Sequence, residues 1–233
     1  MNASSSILKF SEVTVESNQH YETGLWKSSF ELGPGDLLIV RMERENERLP
    51  LADTAEGLMT PKQGRVLFFE EDWQSMSPDY SAAQRGKIGR LFEEGGWVSD
   101  LEVDQNIMLA QRHHTRRSDH EIMEEALQLA RVFGLPGLPR GRPASIRRWD
   151  LRKAACIRAF LGLPKFIILE QPVRGFYADL VAPLISAVQS ARRRGAAVLW
   201  TVTDLRIWNH PSIFPTIRAR MFGSELQLLQ KAS

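Results

Sequence analysis

The stretch Phe166-Ile167-Ile168-Leu169 constrains this chain most, because its apolar run stops abruptly at Glu170, Gln171 and Pro172. A short apolar run bounded by turn residues suits a strand of a parallel sheet covered on both faces. Ligands of open α/β sheets gather beyond the carboxyl ends of such strands, so Glu170 and Gln171 mark where a site belongs. A carboxylate there can hold Mg²⁺ in nucleotide hydrolysis, and a second one after it can orient a water. Here the second group is an amide, which is not a base at neutral pH.

The flanking pattern supplies the rest of such a sheet. Residues 13–15, 26–32, 37–41 and 65–69 read as strands separated by turns such as Gly33-Pro34-Gly35, and residues 50–59 as one helix with Pro50 in its first turn. Helical spacing of Ile107, Leu109, Ile122, Met123, Ala126, Leu127, Leu129 and Ala130 predicts two helices between residues 101 and 133, divided by the polar run 111–119. A loop rich in proline and glycine, 134–143, precedes a helix over 147–161. After the central strand come a helix over 179–194, a strand over 197–202 and a hairpin, 217–222 with 226–229, turning at Gly223-Ser224. Strand, helix, strand in that order implies parallel pairing through a right-handed crossover.

Composition excludes two classes. No run approaches the ~20 apolar residues of a membrane span, and Met1 to Ser6 lack the regions of a signal peptide, so the chain is expected to stay in the cytoplasm. The single cysteine, Cys156, cannot form an internal disulfide; beside Ala154 and Ala155 in a helical pattern it reads as a packed, inert thiol.

Charge is unevenly placed although the net charge is only +2. Arg140, Arg142, Arg147, Arg148, Arg152, Lys153 and Arg158 face one acid, Asp150, and Arg192-Arg193-Arg194 forms a second cluster. A solvated helix face, a contact with a partner subunit or anionic headgroups, and a nucleic-acid surface are the open readings. Nucleic acid is the weakest of them, because aromatics other than Trp149 are not interleaved. His113, His114 and His120 have no cysteine or acid at ligand spacing, so no metal site is expected.

Taken in order, these features resemble the ATPase subunit of ABC transporters, most closely the bacterial Mla-type branch (phospholipid, or organic solvent resistance). The resemblance runs from about Phe10 to Leu229. Residues 35–40 resemble the strand entering a phosphate loop, and 61–68 the turn and strand after its helix. Residues 91–100 resemble the Q-loop region and 103–109 the helix that follows it. Residues 143–175 match the signature helix, Walker B strand and D-loop without a gap. The implied fold is the α/β, P-loop NTPase-like ABC-ATPase: one domain, with a parallel core sheet and a small antiparallel β layer from residues 1–93 and 151–233, and a helical subdomain from 94–150. The implied partners are an integral-membrane permease and a second cassette, as homodimer or heterodimer with an ABC ATPase. That places the chain peripherally on the inner face of the bacterial cytoplasmic membrane. Glu94, Gly95, Gly96, Trp97 and Val98 would line the groove for the permease's coupling helix, with Trp97 as its aromatic anchor.

The departures from the family pattern bear on chemistry. The phosphate loop, G-x-x-x-x-G-K-[ST] in the family, falls on residues 42–50, where this chain has no glycine and has Glu43, Glu45 and Glu47. Glycine lets such a loop take positive φ and present successive amides to phosphate. A carboxylate about 4 Å from a phosphate charge instead costs roughly 1 to 4 kcal/mol. Arg48 stands at the lysine and Leu49 at the hydroxyl that meets Mg²⁺. Glu170 stands for the Walker B aspartate, Gln171 for the glutamate that polarises water, Glu93 for the Q-loop glutamine, Thr203 for the switch histidine and Tyr177 for the D-loop aspartate. Arg147, Arg148 and Trp149 replace the signature Ser-Gly-Gly, an open anion site. The expected function is a catalytically inactive subunit of a lipid-type transporter, binding ATP and Mg²⁺ very weakly or not at all, and giving structural support and permease docking. The alternatives are a soluble regulatory or nucleic-acid-binding module on this fold, and an active ATPase with altered motifs.

Overall fold

Alternation along the central strands decides the architecture. The computed structural model describes residues 6–43 and 48–231. Strand β1 is Leu8–Val15, β2 Leu25–Leu32, β3 Leu37–Arg41, β4 Gln63–Phe68 and β5 Glu71–Asp72; β6 is Ile88–Leu91, β7 Phe166–Glu170, β8 Ala197–Val202, β9 Ile217–Phe222 and β10 Glu225–Lys231. They form one sheet in the order β5-β4-β1-β2-β10-β9-β3-β8-β7-β6. The stretch from β9 to β6 is parallel throughout. β1, β2, β4 and β5 pair antiparallel, as the small β layer expected from the sequence.

In β7, Ile167 and Leu169 pack into one core while Phe166 and Ile168 pack into the other, and β3 and β8 divide the same way. The first core lies against helices α3 (Val103–His114), α4 (Asp119–Val132), α5 (Arg148–Phe160) and α6 (Tyr177–Arg193); the second lies against the antiparallel layer and α1 (Leu51–Ala55). Burial on both faces explains why these strands carry unbroken apolar runs. Cys156 sits fully inside the first core, where burial pushes its thiol up to about 12, so the inert reading holds.

Four elements differ from the sequence reading. The helix expected over 50–59 stops at Ala55, because Gly57 takes φ +65 and leaves room for Trp73, whose ring lies 2.5 Å from where a Cβ would sit. Trp73 Nε1 then donates to Ala55 O at 3.1 Å. Helix α3 runs on to His114, into the polar run, since Gln111 is buried and its Nε2 donates to Leu161 O. Helix α2 (Pro78–Arg85), capped by Ser77, and strand β6 had no counterpart in the sequence reading.

Candidate functional site

Parallel pairing brings the strand ends to one edge. Leu91 pairs with Leu169, Glu170 with Thr201 and Arg41 with Val202, so Met42, Phe92, Glu93, Gln171 and Thr203 leave the sheet side by side. A cavity of about 660 Å³ opens there, lined among others by Tyr21, Arg48, Asp53, Arg90, Glu93 and Glu170. That is a size that holds small ligands. Arg48 is exposed and Leu49 half-buried at its rim, while residues 44–47 of the loop between them and Glu43 lie outside the described residues.

One cation organises the cavity floor. Arg90 pairs with Ile168 across β6 and β7, so its side chain shares a sheet face with Glu170 two residues on. Asp53 and Glu56, one turn apart at the end of α1, meet it from the other side. Arg90 Nε donates to Glu170 Oε1 at 2.6 Å, and Nη1 donates to Glu56 Oε2 at 2.6 Å and to Asp53 Oδ1. Tyr21 donates its hydroxyl to the other oxygen of Asp53. Burial works against the Arg90 charge, but Glu56, Glu170 and Asp53 outweigh it and raise its pKa. Burial raises the carboxyls of Glu56 and Glu170 above their usual range, and Arg90 opposes that rise. Tyr21 is raised by burial and by its bond to Asp53.

Two further pairs involve residues singled out from the sequence. Gln171, buried and at φ +44, accepts through Oε1 from Thr203 N at 3.0 Å and Thr203 Oγ1 at 3.2 Å. A non-glycine residue in the left-handed region is a strained backbone held by its surroundings. Glu93 is ion-paired to Arg174. The stand-ins at the β7 and β8 ends are therefore in contact with each other, and that at the β6 end is tied to the loop after β7.

The basic run between Arg140 and Arg158 does not form one solvated face. Arg152, only 8% exposed, donates to the carbonyls of Phe92, Glu93, Glu170, Gln171 and Pro172. Arg158 packs over the Phe92 and Trp97 rings, and Arg192 donates to Gly35 O and Phe214 O. Arg147, Arg148 and Trp149 do stay exposed at the start of α5, with Trp149 edge-on against Phe176 and Arg148 over the same ring. Tyr177 opens α6, under the guanidinium of Arg206 at 4.1 Å. Glu94, Gly95, Gly96 and Val98 are exposed, whereas Trp97 is half-buried against the first core.

Sequence reasoning missed Arg90, Asp53, Glu56, Tyr21 and Arg174. A lone arginine in the four-residue segment Ile88-Gly89-Arg90-Leu91 was the available signal, since a charge inside a short apolar strand needs a partner.

No family model matches the chain. It is 28% identical over 150 residues to the lipopolysaccharide export system ATP-binding protein LptB of Haemophilus influenzae, a match covering 64% of this chain and 61% of that protein. It is 28% identical over 119 residues to the intermembrane phospholipid transport system ATP-binding protein MlaF of the same organism, covering 51% of this chain and 45% of that protein. The matches thus span less than two thirds of either relative. Among solved structures, a dimeric ATP-binding cassette in a post-hydrolysis state, bound to ADP and phosphate, superposes with a TM-score of 0.82 at 16% identity, covering 96% of this chain and 98% of that one. The chain therefore has the ABC-cassette fold, with a parallel core sheet, a small antiparallel β layer and flanking helices.

Proposed function

We propose that this chain is a non-hydrolysing cassette subunit of a bacterial lipid-type ABC transporter, contributing structure and permease docking. The observation that carries the reading is the Arg90 cluster. The carboxylate at the end of β7 is already neutralised by a fixed guanidinium, which also draws in Asp53 and Glu56. A magnesium nucleotide would have to displace that cation and then meet the carboxylates left behind. The other groups do not fit it either. Leu49 has no hydroxyl for the metal, and Gln171 is engaged by Thr203 and is no base.

Lipid-type cargo is supported by the similarity to ATP-binding proteins of lipopolysaccharide export and phospholipid transport. Pairing with a second cassette, identical or active, is supported by the dimeric structures that share the fold. The exposure of Glu94, Gly95, Gly96 and Val98 beside the β6 end supports reading residues 94–98 as the permease surface. Among the described residues no helix is long and apolar enough to cross a membrane. The membrane association we propose, on the inner face, runs through the permease.

The test is steady-state phosphate release from Mg-ATP by the purified chain, alone and with its candidate permease. The expected rate is that of the protein-free blank, unchanged in Glu170→Gln. Robust release that Glu170→Ala abolishes would overturn the reading.

A further inference from the structure

Two arginines at the seam of β3 and β9 have no partner. Arg41 lies opposite Arg220 across these parallel strands, so the two side chains leave one sheet face from backbones about 4.8 Å apart. Arg218 shares that face two residues earlier, but it is occupied: Nη1 donates to Trp208 O at 2.6 Å, and the guanidinium lies over the Trp208 ring. Among the described residues, Arg41 and Arg220 make no side-chain hydrogen bond, ion pair or ring contact. Like charges placed directly opposite each other destabilise a sheet unless something neutralises them.

The neighbours do not supply the missing charge. Arg41 pairs with Val202 on its other side, and Asp204, two residues on, is taken by Arg206, which donates to both of its carboxylate oxygens. Arg220 pairs with Gln227 of β10, which is neutral. Glu43, two residues past Arg41, and Glu225, two before Gln227, form no ion pair with either arginine. Both arginines are half-buried. Arg220 Nε is shut off from solvent without a hydrogen-bond partner, whereas its terminal nitrogens are not shut off. The charge is thus partly stripped of water while the fork that could hold an anion stays open.

We propose that Arg41 and Arg220 form a binding site for a phosphate group, separate from the cavity around Arg90. Two guanidinium forks carry more donors and more charge than one planar carboxylate takes up, and they match the several oxygens and up to two negative charges of a phosphate. Arg218, fixed on Trp208, adds positive potential beside them. A soluble phosphate and a phospholipid headgroup share this chemistry. The headgroup enters the test because Phe222, next after Arg220 on this face of β9, and Trp26, opposite Glu225 on β2, are exposed rings of the kind that enter a bilayer interface. The proposal does not depend on the permease reading.

The experiment follows the arginine Nε–Hε signals of the full chain by nuclear magnetic resonance as inorganic phosphate is added at constant ionic strength. The Arg41 and Arg220 signals are expected to shift together and saturate, while chloride moves neither. Arg41→Gln and Arg220→Gln, at unchanged thermal midpoint, should each raise the dissociation constant about tenfold. If Arg220→Gln does not fold, Arg41→Gln alone carries the comparison. Sedimentation with phosphatidylcholine vesicles, with and without phosphatidylglycerol, separates the sources. Sedimentation that needs both phosphatidylglycerol and Arg41 assigns the site to a lipid headgroup; saturation by free phosphate without sedimentation assigns it to a soluble phosphate. Shifts that rise linearly without saturating, together with no such sedimentation, would overturn the proposal. An Arg220 response that Arg41→Gln leaves unchanged, or tighter binding of a polyglutamate peptide than of phosphate at these arginines, would overturn it too.

Discussion

Arg90→Gln is expected to lower the unfolding free energy by about 3 to 5 kcal/mol, because it strands Asp53, Glu56 and Glu170 around one buried point. The urea midpoint should fall with little change in slope. Adding Glu170→Gln should restore part of the loss, since residues sharing one network do not add independently. The pH dependence follows from the direction of the shifts. Burial already holds Glu56 and Glu170 above their usual range with Arg90 in place. Without it they rise further, so the folded state binds more protons than the unfolded one and stability falls as pH rises. The gap between Arg90→Gln and the parent should therefore be widest near neutrality and shrink as pH drops towards about 4. A constant gap would mean that packing rather than charge holds this floor together.

Arg152→Met is expected to cost about 3 kcal/mol or more, since carbonyls that the guanidinium now satisfies would be left buried without donors. The bond from Nη2 to Gln171 O, at 2.7 Å, and that from Nη1 to Phe92 O, at 2.8 Å, bridge the loop after β6 to the loop after β7. Amide hydrogen exchange should consequently quicken in residues 92–97 and 171–176 more than in β3 or β8. Uniform quickening across the sheet would point to general loosening instead.

The sheet was legible because its central strands are buried on both faces, and unbroken runs such as Phe166 to Leu169 have few other homes. Strand β6 was not, because Gly89 and Arg90 interrupt its apolar pattern and its partners come from β7 and α5, far along the chain. The position of the site was legible in Glu170-Gln171-Pro172, where an apolar run ends in polar groups. Its contents were only half so. Spacing placed Gln171 and Thr203 at neighbouring strand ends, but their mutual hydrogen bonds depend on register. Arg90 lies 37 residues from Asp53 and 34 from Glu56 in sequence, and it meets them only because β6 sits beside β7, opposite α1. The arginine-rich α5 misled for a related reason. Composition cannot say which side of a helix turns inward, and Arg152 and Arg158 point into the protein.

The most direct measurement is isothermal calorimetry of Mg-ATP against the purified chain. With Arg90 held by three carboxylates, no glycine in residues 42–50 and no hydroxyl at Leu49, the expected dissociation constant is weaker than about 1 mM, a binding free energy below about 4 kcal/mol. Micromolar affinity for Mg-ATP would contradict the assignment of this chain as a cassette whose site is already filled by its own arginine.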